Sequence, residues 1–267
     1  MLIHDVDFAQ MYREHMLQSD RSAKSASAWD ARAKELKGKP LQSEYAQQFV
    51  AHMNLEGAKT LLDVGCGTGT IGITVAPQLQ KVIGLDYSAE MLERMQEHAD
   101  AAGLTNVHTL CKSWYDDWSD VPTCDIVVAS RSSLVADMQE ALQRMTSKAT
   151  KHCYMTHLVD GHFGDAAIAE VLGKNKRALP DYIYIVNILF SMGFHPKVDY
   201  LCFPGRLAGT KNVEEFIGKV RWTFGDLSEQ QLSDLRQWYA EDDERAQQGG
   251  GDTRWAMISW DVDKVGR

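Results

Sequence analysis

The chain has 267 residues, 44% of them hydrophobic, which is enough to bury a full core in one large or two small domains. The formal net charge of −9 and the lack of a Lys/Arg cluster argue against a protein that binds nucleic acid in bulk, and we expect neither a signal peptide nor a membrane span. The five cysteines show no metal-binding spacing, so we expect no metal site and interpret them as buried free thiols of a cytoplasmic protein.

Three helices are predicted before the first strand, over residues 5–18, 20–37 and 43–53. In each of them apolar residues recur at helical spacing, and Gly38-Lys39-Pro40 would end the second helix. We therefore assign residues 1–55 to a group of N-terminal helices.

The most informative stretch is T-L-L-D-V-G-C-G-T-G-T-I-G, over residues 60–72. Its apolar start predicts a buried strand, three alternate glycines predict a sharp turn, and a helix is predicted to continue to about residue 79. Because glycine has no Cβ, such a turn lets the backbone approach a ligand, and the helix that follows would point its N–H groups at that ligand. The stretch thus predicts a nucleotide-binding site in an α/β protein.

Two kinds of cofactor compete for this turn. The glycines of residues 67–72 spell G-x-G-x-x-G, which is typical of dinucleotide sites and leaves an NAD-dependent oxidoreductase open. Asp63 favours a different ligand, because a carboxylate at the end of the strand would repel a pyrophosphate and attract an ammonium group. The second strand, residues 81–86, ends in Asp86, which could accept hydrogen bonds from the ribose of either cofactor.

The motifs D-V-G-C-G-T-G and L-D-Y-S-A-E-M-L together resemble those of the class I S-adenosylmethionine (SAM)-dependent methyltransferases. The match is specific over residues 60–95 and looser to residue 204. The resemblance implies that the glycine turn packs against the methionine part of SAM, that Asp63 faces its amino group and that Asp86 binds its ribose. The residues that it places at the cofactor are Asp63, Gly65, Gly67, Gly69, Asp86, Tyr87, Met91, Ser113, Trp114 and Ser130.

Two features around this site are only loosely similar to the family. After the third predicted strand, residues 106–111, the family commonly has an acid that holds the adenine amino group, whereas this chain has Ser113 followed by Trp114. The serine hydroxyl could accept a hydrogen bond and the tryptophan could stack on adenine, or Trp114 could pack under its loop. Trp29 lies in W-D-A-R-A, which loosely resembles the aromatic-plus-acid segment that closes over SAM in many members of the family. Trp29 is therefore a candidate lid and substrate contact, with ordinary packing as the alternative.

Candidate catalytic residues follow the fourth and fifth predicted strands. Residues 124–130 form a continuous apolar run, typical of a strand buried on both faces, and they end in S-R-S-S. Arg131, flanked by hydroxyl groups, suits an anionic group of a substrate, although it could instead pair with a neighbouring acid. A helix over 134–147 and a strand over 151–159 follow. That strand ends near His157, which is either a general base or a structural histidine.

Residues of the second half of the chain are predicted to line a substrate pocket. Residues 160–179 indicate a loop and a short helix, and a longer helix is predicted over 181–192. In that helix Tyr182 and Tyr184 point to different faces, so one of them could reach the substrate, and Tyr182 is the candidate. The remaining predicted elements are a strand over 195–204, helices over 213–224 and 228–248, and a strand over 254–262.

Together the elements predict a single domain over residues 1–267 with a Rossmann-like α/β fold. It would be a three-layer sandwich around a seven-stranded, mostly parallel sheet with an antiparallel last strand, as the resemblance implies. The predicted parts are the N-terminal helices, a core over 58–204, a helical insertion over 205–253 and a final strand over 254–263.

The predicted reaction is methyl transfer from SAM. The chain lacks the N-P-P-Y signature of amino-methylating DNA and protein enzymes and a metal constellation of the catechol-methylating kind. A small-molecule acceptor is therefore favoured. A non-catalytic SAM-binding module is the alternative from another class.

Overall fold

A seven-stranded sheet forms the centre of the computed structural model, which describes residues 2–19, 24–36, 41, 43–161, 166–174 and 179–262. Short apolar stretches form its strands because their side chains are buried against helices on both faces. The strands are β1 (Thr60–Val64), β2 (Lys81–Asp86), β3 (Val107–Cys111), β4 (Cys124–Ala129), β5 (Ala149–Leu158), β6 (Lys197–Phe203) and β7 (Thr253–Asp261).

The strand order is β3-β2-β1-β4-β5-β7-β6. The first five strands pair in parallel, and β7 lies antiparallel between β5 and β6. The predicted mostly parallel sheet with an antiparallel last strand is therefore confirmed. The order reverses between β1 and β4, and open α/β sheets bind ligands beyond the carboxyl ends of the strands at such a point.

Helices cover both faces of the sheet. The helices are α1 (Phe8–Gln18), α2 (Ala26–Glu35), α3 (Glu44–Ala51), α4 (Gly72–Val75), α5 (Ala89–Ala101), α6 (Met138–Lys148), α7 (Ala166–Val171), α8 (Tyr182–Ser191), α9 (Val213–Phe224), α10 (Glu229–Glu241) and α11 (Asp243–Gln248). None of the helices in the part of the chain that the structure describes is long and apolar enough to span a membrane. One apolar core lies under α1, α6 and α8, a second lies under α3, α4 and α5, and a third, smaller one joins α7, α9 and α10 away from the sheet.

Three helix predictions needed correction. The helix predicted to residue 79 is a series of turns followed by the single turn of α4 and a 3-10 turn that contains Pro77, which lacks an N–H for a continued helix. The helix predicted over 134–147 begins later, after Asp137, whose side chain caps it. The helix predicted over 228–248 breaks at the extended residue Asp242, which caps α11.

Some predicted features lie outside the described residues. They are the start of the second helix at 20–23, the Gly38-Lys39-Pro40 break, the parts of the 160–179 segment at 162–165 and 175–178, and position 263.

The predicted burial of all five cysteines is wrong for two of them. Cys111 and Cys202 are exposed, whereas the other three are buried. Cys111 lies on β3 and Cys202 on β6, the two edge strands of the sheet, and most side chains of these strands are exposed or only partly buried.

Candidate functional site

A cavity of about 1050 Å³ opens beyond the carboxyl ends of β1, β2 and β4. The glycine turn and the loops after β3 and β4 line one side of it. Side chains from α2, from the end of α9 and from the segment after β6 line the other side. The cavity thus lies where the strand order reverses, and it brings together residues from the whole length of the chain.

Asp63 supplies a buried carboxylate at the floor of this cavity. Its Oδ2 accepts a hydrogen bond from the Gly72 N–H at 3.0 Å, whereas its Oδ1 is buried and has no donor among the described residues. Burial raises the pKa of Asp63 to about 7, with the Gly72 hydrogen bond opposing that shift and the nearby charge of Asp86 adding to it. A buried acceptor oxygen that lacks a donor fits the ammonium group of SAM and does not fit a pyrophosphate.

The glycine turn needs glycine for two different reasons. At Gly65 the φ angle is +66°, and a Cβ would lie only 2.3 Å from the Cβ of Ser132. Gly67 and Gly69 also have positive φ, but a Cβ on Gly67 would meet no atom within 4 Å. Because Gly67 lines the cavity, that open space belongs to the candidate ligand site.

Asp86 is fixed by two backbone donors. Its Oδ2 accepts from the Gly67 N–H and its Oδ1 from the Ser88 N–H, both at 2.9 Å. Burial raises its pKa, and the two backbone hydrogen bonds oppose that shift. Each carboxylate oxygen keeps a further lone pair, so Asp86 could hold the ribose hydroxyls while it anchors the glycine turn.

Gly67→Ala is expected to weaken SAM binding by at least tenfold because its methyl group would occupy the ligand space. Gly103→Ala is the matched control, since Gly103 has a φ of +67° and open space at a helix end outside the cavity. Each variant should lose about 1 kcal/mol of folding stability from backbone strain. Calorimetric titration and thermal unfolding of both proteins provide the measurements. Equal SAM affinities in the two variants would contradict the placement of the ligand at Gly67.

The other residues predicted at the cofactor also line the cavity. They are Tyr87, Met91, Ser113, Trp114 and Ser130. Trp114 has a second role, because its Nε1 donates to the Ser132 carbonyl at 2.9 Å and its ring stacks on Trp118. The tryptophan therefore packs under its loop and still presents part of its surface to the cavity.

Helix α2 lines the side of the cavity opposite the glycine turn. Asp30 accepts a hydrogen bond from the Ser88 hydroxyl at 2.6 Å, which ties α2 to the segment after β2. Trp29 meets Trp222 of α9 edge-on, with ring centroids 5.7 Å apart, and the Nζ of Lys24 lies 4.4 Å from the centroid of the Trp222 ring. Helices α2 and α9 thus meet over the cavity, and Trp29 lines it.

Arg131 lies at the end of β4 with a φ of +57°, unusual for a residue with a side chain. Its backbone N–H donates to Thr156 Oγ1 at 2.9 Å, and its guanidinium carbon lies 4.1 Å from the centroid of the Tyr45 ring. Among the described residues no carboxylate lies within 4.0 Å of the guanidinium. Arg131 therefore does not form an ion pair with a neighbouring acid among the described residues, which was the alternative prediction.

Tyr45 contacts Arg131, although it is not among the site residues predicted from the sequence. Its spacing on α3 indicated only a core position, and it is indeed buried. Its hydroxyl lies 2.6 Å from Ser130 Oγ and 2.9 Å from Thr156 Oγ1. No sequence pattern could link Tyr45 to the end of β4, because the two are more than eighty residues apart in the chain.

Three predicted site residues do not line the cavity: Gly69, His157 and Tyr182. A Cβ on Gly69 would meet the side chains of Ile73 and Met95. His157 is fully buried, with its ring nitrogens 2.8 Å from Ser133 Oγ and 3.0 Å from the Pro180 carbonyl, and burial lowers its pKa to about 4. The Tyr182 hydroxyl forms a hydrogen bond with the Tyr200 hydroxyl. Neither Tyr182 nor His157 lines the cavity. The surroundings of His157 match the alternative of a structural histidine, and those of Tyr182 lend no support to a substrate contact.

Comparisons with known proteins agree with the fold and the cofactor. A family model described as a methyltransferase domain matches residues 55–179. An uncharacterized protein of Haemophilus influenzae is 33% identical over 279 residues, which cover 99% of this chain and 100% of that protein. The tRNA (uracil-5-)-methyltransferase homolog A of Mus musculus is 42% identical, but over only 57 residues, or 21% of this chain and 9% of that protein.

Among solved structures, a SAM-dependent methyltransferase from Thiobacillus denitrificans in complex with S-adenosyl-L-homocysteine is similar with a TM-score of 0.54. The match has 14% sequence identity and covers 90% of this chain and 99% of that chain. At that identity the likeness shows a shared fold.

Proposed function

Because this chain belongs to the class I SAM-dependent methyltransferases, we propose that it methylates a small-molecule acceptor whose anionic group binds to Arg131. The observation that carries the proposal is the Arg131 guanidinium, which lines the cavity and has no carboxylate partner among the described residues. A guanidinium in this setting binds carboxylate or phosphate with two parallel hydrogen bonds.

In this proposal the residues at the ends of β1 and β2 hold SAM. Asp63 faces its ammonium group, Asp86 accepts from its ribose, and the turn at Gly67 leaves room for the backbone to approach it. Bound SAM supplies an electrophilic methyl group on a sulfonium. The protein contributes mainly by orienting the acceptor and by excluding water. Helix α2, which lines the cavity, helps to exclude the water.

The charges around the cavity support an anionic acceptor. Two carboxylates line it, Asp63 and Asp86, and both lie at the cofactor end. Six cationic side chains also line it: Lys24, Arg32, Lys112, Arg131, Lys174 and Arg206. The lining cations outnumber the lining carboxylates in a chain whose net charge is −9, even though Arg32 pairs with Glu35 and Lys112 with Asp120. Such a local reversal of charge attracts an anion.

The size of the cavity supports an acceptor bound beside the cofactor. Its volume of about 1050 Å³ lies at the upper end of the roughly 300–1,000 Å³ that small-molecule sites occupy. Room for two ligands favours a catalytic pocket over a SAM-binding module. The acidic composition of the chain favours a small acceptor over RNA.

Arg131→Ala is expected to leave SAM affinity unchanged and to lower kcat/KM by about ten- to a hundredfold, as expected for a lost charge-assisted hydrogen bond. The test is a screen of carboxylate and phosphate metabolites, followed by S-adenosylhomocysteine release, with neutral amides and esters as matched compounds. Arg144→Ala is the control, since Arg144 pairs with Glu140 outside the cavity. Equal turnover of the neutral compounds would refute the anionic acceptor, and a loss of SAM binding would move Arg131 to the cofactor site.

A further inference from the structure

We infer that Tyr45 is a positioning residue that holds the guanidinium of Arg131 ready for the acceptor anion, an inference that rests on the proposed function. The guanidinium carbon lies 4.1 Å from the centroid of the Tyr45 ring, well within the roughly 6 Å of a cation–π contact. Tyr45 is only 2% exposed and does not line the cavity. It therefore acts on the acceptor only through Arg131.

The Tyr45 ring is itself held in place from several sides. Its hydroxyl meets Ser130 Oγ and Thr156 Oγ1, and Phe203 packs against the ring edge-on with centroids 5.4 Å apart. The same Thr156 oxygen also accepts the backbone N–H of Arg131. One hydrogen-bond network therefore fixes both the aromatic platform and the backbone that carries the guanidinium.

This network explains how Arg131 keeps a positive φ of 57°. A residue with a side chain holds such a conformation only where its surroundings determine it, and such residues cluster at ligand sites. Here the end of β4, the Thr156 hydroxyl and the Tyr45 ring together determine it. The result is a guanidinium that is held against the Tyr45 ring before the ligand arrives, which reduces the entropy lost on binding.

A role for Tyr45 as a base does not fit the same surroundings. Burial raises the pKa of its phenol, and the opposing effects of the Arg131 charge and of the two hydroxyl groups are smaller. The phenol therefore stays neutral at physiological pH. What it offers to the site is an aromatic face and a fixed hydroxyl.

The inference is tested with Tyr45→Leu, which removes the ring, and Tyr45→Phe, which keeps it. Benzoate and inorganic phosphate are titrated calorimetrically into protein that is saturated with S-adenosylhomocysteine. Tyr45→Leu should raise the Kd of both anions by about tenfold, and Tyr45→Phe by less than about threefold, because the ring and not the hydroxyl contacts the cation. The Kd of S-adenosylhomocysteine should not change in either variant.

Two controls separate positioning from general destabilisation. Phe49→Leu removes a fully buried ring from the same helix, next to Tyr45 but without a cation contact, and it should lower the Tm without changing the anion Kd. In an Arg131→Ala background, Tyr45→Leu should have no further effect on the anion Kd. Equal effects of Tyr45→Leu in both backgrounds, or an effect no larger than that of Phe49→Leu, would overturn the inference while leaving the proposed function intact. Unchanged anion binding in Arg131→Ala, or no anion binding to the unmodified protein, would instead overturn the proposed function.

Discussion

Replacing Asp63 with asparagine is expected to weaken SAM binding by about ten- to a hundredfold while making the ligand-free protein more stable at pH 8. The affinity falls because a hydrogen bond between two charged groups, worth about 1.5–3 kcal/mol, becomes one to a neutral amide. The stability rises because the ionised carboxylate is buried with one oxygen unpaired. The asparagine carbonyl can still accept the Gly72 N–H, so the turn should keep its shape.

The measurements are SAM titration by calorimetry and urea unfolding of the ligand-free protein. Asp125→Asn is the control with the opposite sign. Asp125 accepts from the Lys59 and Thr60 N–H groups at the other end of β1, and its hydrogen bonds lower its pKa. That variant should lose stability and keep its SAM affinity. A stable Asp63→Asn protein with unchanged SAM affinity would refute the ammonium contact.

The pKa of Asp63 also predicts how SAM affinity depends on pH. In the folded, ligand-free protein the pKa is about 7, raised from its ordinary value of 3.8. The folded state thus keeps a proton that the unfolded chain releases, so this stabilising contribution is complete below pH 4 and is lost as the pH rises through 7. An ammonium ligand selects the ionised carboxylate, so SAM affinity should rise between pH 5 and 7, by at most tenfold per pH unit. In Asp63→Asn the same titration series should be flat.

The cofactor half of the site could be predicted from the sequence because it is local. The strand, the glycine turn and the acid that ends the next strand all lie within residues 60–86, and the spacing of one βαβ unit fixes their relative positions. The cap of the next helix is equally local, since the Ser88 hydroxyl accepts from the Met91 N–H three residues later.

The acceptor half could not be predicted because its parts are distant in the chain. Trp29 and Trp222 meet over the cavity, and Tyr45 lies under Arg131, but periodicity indicates only which face of a helix is buried and not against which partner. His157 shows a second limit. Neighbouring residues of a strand point to opposite faces, so Thr156 reaches the Arg131 loop whereas His157 turns towards Pro180. A one-residue difference at a strand end thus separates a site residue from a structural one.

The second large effect is expected for Asp86→Ala, which should lower SAM affinity by about a hundredfold or more. The change removes the ribose acceptor, and it also frees the Gly67 N–H that shapes the cofactor turn. The Ser88 N–H loses its acceptor as well. Buried donors without partners cost about 1–3 kcal/mol each, so the variant should also be less stable, and SAM titration must be done where unfolding measurements show it folded.

Asp181→Ala separates these two effects. Asp181 also accepts two backbone N–H groups, from Asp160 and from Ile183 two residues later, which reproduces the pattern at Asp86 outside the cavity. Because the hydrogen bonds of Asp181 are exposed and those of Asp86 are not, Asp181→Ala should lose less stability than Asp86→Ala, and only Asp86→Ala should lose SAM affinity. Asp86→Asn should fall between the unmodified protein and Asp86→Ala, because its amide offers one acceptor oxygen where the carboxylate offers two. If Asp86→Ala and Asp181→Ala bind SAM equally well, Asp86 serves the turn alone and the ribose has another partner.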